Sequence, residues 1–368
     1  MVLFKEMLKA LGIPAVLVIC AASASAGSVT YTCDSTVDAT DAGTCAYLNG
    51  AIAGLYNSTF SNANASIYIE QGITGLGGSY TPESYVSYST YVSQLTSTAS
   101  GDSVDTQALA ALSSLDNAVY GSDDVVMSSA LAGALGFTGV GGITAGLTGC
   151  TIGVDPGCYN GIIVVTTPAN LSAEAGGSQS LYYRQNGGSI PGNAYDYYSV
   201  VEHETDEILG TTSCMSTQDG GVLSDPCDPG VGASAGTGTP SAIDLFRYNS
   251  VGSLASNNAY IGMGSAPSGA YFSYNGGATN GADGAVFNTV ANNNDYADFA
   301  ASCAWVQDAT GCTGQSFDVT ADGGAEINML DAVGYNLNSA PEPGTVLLFG
   351  GGFAAMAALR RFRRGRVS

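Results

Sequence analysis

The cysteines constrain the fold of this 368-residue chain more than any other feature. Nine cysteines occur, and all except Cys20 fall into pairs that are close in sequence. Nearest-neighbour pairing needs no long-range assumption, and each bridge would contribute about 2–3 kcal/mol by restricting the unfolded chain. A thiolate metal site is the alternative, but the sequence has no C-x-x-C motif. We therefore predict four small disulfide-closed loops: Cys33–Cys45, Cys150–Cys158, Cys214–Cys227 and Cys303–Cys312.

Disulfides require an oxidising compartment, and the N-terminus predicts export to one. Residues 1–26 begin with Lys5 and Lys9, continue with an apolar stretch, and end in Ala24-Ser25-Ala26. This order is typical of a signal peptide that signal peptidase removes after Ala26.

The C-terminus carries a second targeting signal. Residues 345–359 form an uncharged, mostly apolar run, preceded by Pro341-Glu342-Pro343 and followed by an arginine cluster. Basic residues beside an apolar segment stay in the cytoplasm, so the body of the protein would face outward. Residues 341–368 resemble the PEP-CTERM sorting signal of Gram-negative bacteria. The resemblance implies exosortase-type sorting to the cell surface, with transient inner-membrane anchoring through 345–359; a simple C-terminal anchor is the alternative.

The region between the two signals, residues 27–340, is long enough for a single domain and is strongly acidic. Its basic side chains other than His203 are Arg184 and Arg247, and the whole chain has a formal net charge of −22. Such a chain cannot neutralise phosphates, so we exclude a nucleic-acid partner.

Composition predicts a loop-rich domain with many short strands and a few helices. β-Branched and aromatic residues mark several strands, and residues 106–115 have a helix-forming composition behind Asp105 as a possible N-cap. The predicted strands are 29–33, 65–68, 161–166 and 181–184.

Residues 196–210, DYYSVVEHETDEILG, carry the most informative motif. An Asp at the start, no interior Gly or Pro, and a Gly at the end predict a helix. His203 and Glu207 are four residues apart and would share one helix face, while Glu204 could reach a water on the same ion. This arrangement matches the zinc motif H-E-x-x-H, with a carboxylate replacing the second imidazole. A helix with a solvated acidic face is the alternative.

Several segments together resemble a group of secreted bacterial metalloproteases that carry an H-E-x-x-E helix and often a PEP-CTERM tail. The segments are EHETDEILG with Ser213-Cys214, SAIDLFRY at 241–248, YFSYNGG at 271–277 and LDAVGY at 330–335. The resemblance covers roughly residues 160–340. It implies an α+β, zincin-like fold with a metal-binding helix, and zinc-dependent hydrolysis of protein or peptide substrates.

A third metal ligand has to be a carboxylate, because His203 is the sole histidine of the chain. Ser213 stands where some zincins place that ligand, and a hydroxyl binds zinc poorly. Asp244 is our first candidate for this role, and the alternative is that it only caps a helix beginning near Ser241. Asp225 and Asp228 are further candidates. Zinc is the metal that the resemblance implies, but one imidazole with two carboxylates makes a harder site than that of a typical zinc protease, so manganese, iron or calcium stay open.

The remaining expectations concern groups around this motif. In the expected mechanism Glu204 is the general base. Residues 181–184 would be an edge strand for extended substrate or a plain sheet edge. Arg247 would stabilise an oxyanion or form a structural ion pair, and Glu202 and Asp206 would be solvated or support the metal ligands.

Oxygen-rich loops at 292–295 and 318–324 could hold calcium, or be ordinary polar turns.

The predicted function is a surface-sorted, metal-dependent peptidase. The alternative is a catalytically inactive surface, biofilm-matrix or adhesin-like protein.

Overall fold

The computed structural model describes eleven stretches of the chain, and all structural statements below concern these residues. They are 27–72, 75–113, 123–174, 179–214, 239–250, 253–254, 269–278, 285–288, 296–300, 302–320 and 324–338. The signal peptide (1–26), Cys227 and the C-terminal region from 339, including the segment 345–359, lie outside them.

The strands are short. They are β1 (Thr30–Cys33), β2 (Ser66–Gly72), β3 (Gly77–Tyr80), β4 (Glu83–Ser87), β5 (Asp124–Ser128), β6 (Gly141–Thr144), β7 (Gly149–Thr151), β8 (Cys158–Tyr159), β9 (Gly161–Thr166), β10 (Ser180–Tyr182), β11 (Ala194–Asp196), β12 (Arg247–Ser250), β13 (Ser253–Leu254) and β14 (Tyr271–Phe272).

The α-helices are α1 (Ser35–Thr40), α2 (Thr44–Tyr47), α3 (Ala53–Thr59), α4 (Tyr88–Thr98), α5 (Ser103–Ser113), α6 (Ser129–Ala134), α7 (Pro168–Glu174), α8 (Tyr197–Asp206) and α9 (Ala325–Val333). Wider π-helical turns occupy Leu48–Ile52 and Glu207–Thr211, and 3-10 turns occupy Arg184–Asn186 and Ile243–Phe246. In the described part of the chain, no helix is both long enough and apolar enough to cross a membrane.

A four-stranded sheet with the order β1-β2-β9-β3 forms the base of the domain. β1, β2 and β9 are parallel, and β3 runs antiparallel to β9 at one edge. Residues Gly161–Thr166 of β9 are almost entirely buried. This agrees with their sequence, GIIVVT, because a strand covered on both faces needs a continuous apolar run.

Helix α8 packs directly on this sheet, and two glycines make the close contact possible. A Cβ at Gly161 in β9 would lie 2.5 Å from Ile208 Cγ1. A Cβ at Gly77 in β3 would lie 2.6 Å from Val200 Cγ1 and 2.5 Å from Glu204 Oε1. A side chain at either position would displace these atoms, so the two glycines allow α8 and the turn after it to pack closely on the sheet.

Three buried tyrosines hold the other side of this helix. Tyr31 Oη lies 3.0 Å from Thr205 Oγ1, Tyr56 donates to Asp206 Oδ1 at 2.8 Å, and Tyr335 donates to Leu209 O at 2.8 Å. They come from β1, from α3 and from the residues after α9. The helix is therefore fixed by segments from both ends of the domain.

The disulfide predictions agree with the structure wherever both partners are described. Cys33–Cys45, Cys150–Cys158 and Cys303–Cys312 are bonded. Cys214 is also disulfide-bonded, and its predicted partner Cys227 lies outside the described residues.

The predicted elements are present with shifted boundaries. The four predicted strands correspond to β1, β2, β9 and β10, but β10 ends at Tyr182 and a 3-10 turn begins at Arg184. The helix predicted at 106–115 is α5, which starts earlier because Asp102, rather than Asp105, accepts from the backbone at its N-terminus. The mixture of helices and sheets with disulfides confirms an α+β domain.

Candidate metal centre

The motif helix begins and ends where its sequence predicts. Asp196 caps α8 by accepting from the Tyr198 N–H at 2.9 Å. The chain then continues through the π-helical turn and leaves it at Gly210, which has a φ of 125°. A side chain is strained at that φ, so the glycine ends the helix.

The His203 ring is oriented by a backbone carbonyl. Its Nδ1 lies 2.9 Å from Val306 O, on a loop that the Cys303–Cys312 disulfide closes. A carbonyl can only accept, so Nδ1 carries the proton and donates. Nε2 is then the nitrogen that faces the site, and in the neutral ring it has the lone pair that a metal-binding imidazole requires.

Two carboxylates lie next to Nε2. Glu207 Oε1, one helical turn along, is 3.7 Å away, and Asp298 Oδ1 is 3.5 Å away. One ligand atom from each of the three residues lies within 4.8 Å of the others. Ligand atoms bound tetrahedrally to zinc at about 2.0–2.1 Å lie about 3.3 Å apart, so the donor set fits a small divalent cation.

Asp298 is held by backbone pairing on both sides. Asn288 N donates to Asp298 O at 2.7 Å, and Phe299 N donates to Gln307 O at 2.7 Å. Gln307 Nε2 also donates to Asp298 Oδ1 at 3.2 Å. The loop that orients His203 therefore also positions this carboxylate. The sequence did not indicate Asp298, because no local spacing connects it to the motif helix: His203 lies 95 residues before it.

Asp244, the expected third ligand, is not brought to His203. Its fully buried carboxylate accepts from Ser213 Oγ at 2.6 Å, from Cys214 N at 3.0 Å and from Ser241 N at 3.1 Å, and lies 3.5 Å from Arg247. Asp244 therefore has the helix-capping role, which was the alternative to its expected role as a metal ligand. The third residue of the candidate ligand set is Asp298.

Glu204 lies beside this cluster and is not part of it. It is buried, and a Cβ at Gly77 would lie 2.5 Å from its Oε1. Burial, and then the charge of Glu207, raise the pKa of Glu204 well above its usual value, although His203 lowers it. A carboxyl group with a raised pKa is suited to taking and returning a proton.

The carboxylates around His203 favour a positive charge at its Nε2. Burial lowers the pKa of His203, but the charge of Asp298, helped by Glu207 and Glu204, outweighs burial and raises that pKa well above its usual value. Burial raises the pKa of Glu207, but His203 and the hydrogen bonds of Glu204 and Ser79 lower it by more. Ser79 in β3 donates to Glu207 Oε2 at 2.7 Å, a partner that the sequence did not indicate.

The two other acids of the motif helix are buried, so a solvated role for them was wrong. Glu202 pairs with Arg184 at 3.2 Å and accepts from Val319 N at 3.0 Å. Asp206 accepts from Tyr56. Both fix the helix in the domain.

Arg247 has a structural role in the described residues. It is fully buried, lies 3.9 Å from the centre of the Phe287 ring, and donates to Tyr296 O at 2.6 Å. Of the two roles expected for Arg247, stabilising an oxyanion or forming a structural ion pair, the structure shows the ion pair, with Asp244. Residues 180–182 pair in parallel with 194–196 in a separate two-stranded sheet, so this strand lies at a sheet edge.

Other candidates lie partly or wholly outside the described residues. These are Asp225, Asp228 and the loop 292–295. In the loop 318–324, Asp318 Oδ1 accepts from Thr320 N at 2.9 Å, as in an ordinary polar turn.

Comparison with known proteins gives one match. The profile of the PEP-CTERM protein-sorting motif matches residues 339–364. Comparisons with curated proteins and with solved structures found no match. The motif implies export, sorting to the cell surface and recognition by exosortase-type machinery, in agreement with the sequence prediction.

Proposed function

We propose that this protein is a surface-sorted, metal-dependent peptidase with a zincin-like active site. One observation carries the proposal: His203 Nε2 faces Glu207 Oε1 and Asp298 Oδ1 at 3.7 and 3.5 Å. These distances are too long for hydrogen bonds and suit a cation between the three groups. His203, Glu207 and Asp298 would hold zinc, or another divalent metal that accepts one nitrogen and two oxygens.

A bound divalent cation would supply a Lewis acid that polarises a substrate carbonyl and acidifies a water molecule. Glu204 takes the proton of the attacking water and returns it to the leaving amine. Gly77 allows the Glu204 carboxylate to lie against β3, and Ser79 holds Glu207 through its second oxygen. Val306 O keeps the imidazole proton on Nδ1.

We propose that an extended peptide binds alongside β3. This strand is at the edge of the four-stranded sheet, and it carries both Gly77 and Ser79 next to the acids of α8. A peptide that adds to a sheet edge gains backbone hydrogen bonds that do not depend on its sequence. We prefer this position to residues 181–184, because that strand belongs to a separate two-stranded sheet, whereas β3 lies next to Glu204 and Glu207.

The test separates metal binding from catalysis. In the exported protein, Glu204→Gln should retain about one equivalent of divalent metal and lose casein hydrolysis by roughly 10²–10⁴-fold, because the general base is removed while the ligands remain. Metal content is measured by elemental analysis.

His203→Ala is the companion variant and should lose both the metal and the hydrolysis. Wild-type protein without bound metal would favour the inactive surface-protein alternative. Hydrolysis that survives in Glu204→Gln would exclude Glu204 as the base.

A further inference from the structure

A second cluster of acids lies where the start of α5 meets α9, and the candidate metal centre does not use it. It consists of Asp102, Asp105 and Asp331, and one carboxylate oxygen from each lies within 4.8 Å of the others. Asp102 precedes α5, Asp105 lies in its first turn, and Asp331 lies in α9.

Two of the three carboxylates have donors from the protein. Asp102 Oδ1 accepts from Val104 N at 2.8 Å and from Asp105 N at 3.0 Å. Asp105 Oδ2 accepts from Gly101 N at 3.0 Å and from Ser100 Oγ at 2.8 Å. These bonds hold both side chains in place at the N-terminus of α5.

Asp331 differs from its neighbours. Its relative exposure is 0%, and no N–H or hydroxyl group of the described residues donates to either of its carboxylate oxygens. A buried carboxylate next to two others is unfavourable unless a proton or a cation compensates it. Burial, and then the charges of Asp102 and Asp105, raise the pKa of Asp331 to about 9.

The described basic side chains cannot supply that cation. Arg184 pairs with Asp196 and Glu202, Arg247 pairs with Asp244, and His203 faces Glu207 and Asp298. Among the described residues, therefore, no basic side chain neutralises Asp331, and an ion from solution could do so.

We propose that Asp102, Asp105 and Asp331 form a calcium site. All three ligand atoms would be carboxylate oxygens, which calcium prefers. Two oxygens bound to one calcium ion at about 2.4 Å each can lie up to about 4.8 Å apart, and the oxygens of this cluster are within that distance of one another. Magnesium prefers shorter bonds and retains its waters, so it suits this cluster less well.

The site would connect α5 to α9 across the domain. After α9, Tyr335 donates to Leu209 O at the end of the motif helix. Calcium would stabilise the region that supports the candidate metal centre without taking part in the reaction.

A shared proton is the rival explanation for Asp331, and Asn substitutions separate the two. Asp331→Asn keeps the shape of the side chain and offers an N–H to its neighbours, which removes the need for a cation. Asp102→Asn also removes one charge, and because Asn caps helices as well as Asp, it should preserve α5. Asp318→Asn, in a polar turn elsewhere, is the matched control.

The experiment uses the full exported protein carrying His203→Ala, so that the first metal centre does not contribute. Calcium chloride is titrated by calorimetry, and the midpoint of thermal unfolding is measured with and without millimolar calcium. We expect about one calcium per chain and a rise of several degrees, retained in Asp318→Asn and lost in Asp331→Asn and Asp102→Asn. Magnesium chloride should have a much smaller effect.

No calcium binding by the protein with intact Asp102, Asp105 and Asp331 would overturn the proposal and leave the shared proton. Calcium binding that persists unchanged in Asp102→Asn or Asp331→Asn would place the ion elsewhere and overturn it as well. If Asp331→Asn does not fold, Asp102→Asn and the binding stoichiometry of the parent protein decide the question.

Discussion

The two nitrogens of His203 have different partners, and this difference defines the chemistry of the candidate site. Nδ1 faces the Val306 carbonyl, while Nε2 faces Glu207 and Asp298. The side chains of His203 and Glu207 retain 17% and 14% of their exposure, whereas Asp298 retains 4%. A ligand set that is partly open on one side can bind a metal and still admit substrate.

At the residue scale, Asn variants of Asp298 and Asp244 test which of these two acids is the third metal ligand. Asp298→Asn should greatly weaken metal binding, because an amide replaces one of the two charged ligands. Asp244→Asn should keep the metal, because its carboxylate contacts Ser213, Ser241 and Arg247 instead of His203. Metal content by elemental analysis after dialysis checks both variants.

Asp244→Asn serves as the control for burial, since it also alters a fully buried carboxylate. It should lower thermal stability because it weakens a cap and a buried ion pair. Metal loss in folded Asp244→Asn, with retention in Asp298→Asn, would reverse our assignment of the third ligand.

At the scale of elements, the contact between α8 and the sheet sets the position of Glu204. The helix lies against β3 because Gly77 has no side chain, and against β9 because Gly161 has none. Ser79 then reaches Glu207 from the same strand. The edge strand and the motif helix therefore form one unit, and moving either would displace the proposed base relative to the metal ligands.

Gly77→Ala tests this unit. The added Cβ would lie 2.5 Å from Glu204 Oε1, so the carboxylate has to move. We expect hydrolysis to fall by at least tenfold while the metal is retained, because His203, Glu207 and Asp298 do not contact this carbon. Casein hydrolysis and metal content are measured on the same preparation.

Gly75→Ala is the matched control, because a Cβ there meets no atom within 4 Å. It should leave both hydrolysis and metal content near the wild-type values. Equal losses in the two variants would indicate that the strand tolerates no change in this region, and the specific role of Gly77 would be lost.

At the scale of the whole molecule, the candidate site combines segments that are distant in sequence. The motif helix supplies His203 and Glu207, and the region around 296–312 supplies Asp298 and the Val306 carbonyl. The Cys303–Cys312 disulfide closes the loop that carries Val306. This covalent link, formed in an oxidising compartment, helps to keep the loop in position.

Replacing Cys303 and Cys312 together by Ser should therefore affect the site as well as stability. Opening a loop with a sequence separation of 9 costs about 2–3 kcal/mol of unfolding free energy. We also expect weaker metal binding, because the carbonyl that orients His203 is on this loop. Denaturant unfolding and metal titration measure the two effects.

The double Ser variant of Cys150 and Cys158 is the control, since its loop has a similar separation of 8 and joins β7 to β8. It should lose comparable stability and keep its affinity for metal. A similar loss of affinity in both variants would show that stability alone, rather than the position of Val306, controls metal binding.

Local sequence was sufficient for several features whose partners are close in the chain. The three described short-range disulfides, the helix with its Asp196 cap and Gly210 end, and the His203–Glu207 pairing follow from spacings of a few residues. The apolar run of β9 likewise indicates burial. The sorting signal is also a local motif, and the profile match confirms it.

Tertiary structure decided which distant groups meet. Asp244 and Asp298 are both acids downstream of the motif, and no periodicity distinguishes a cap from a ligand. Only the folded chain places Asp298 beside Nε2, β3 beside Glu204, and Asp331 beside Asp102. Such contacts depend on loop closure and packing between segments, whose energies are not recorded in the spacing of neighbouring residues.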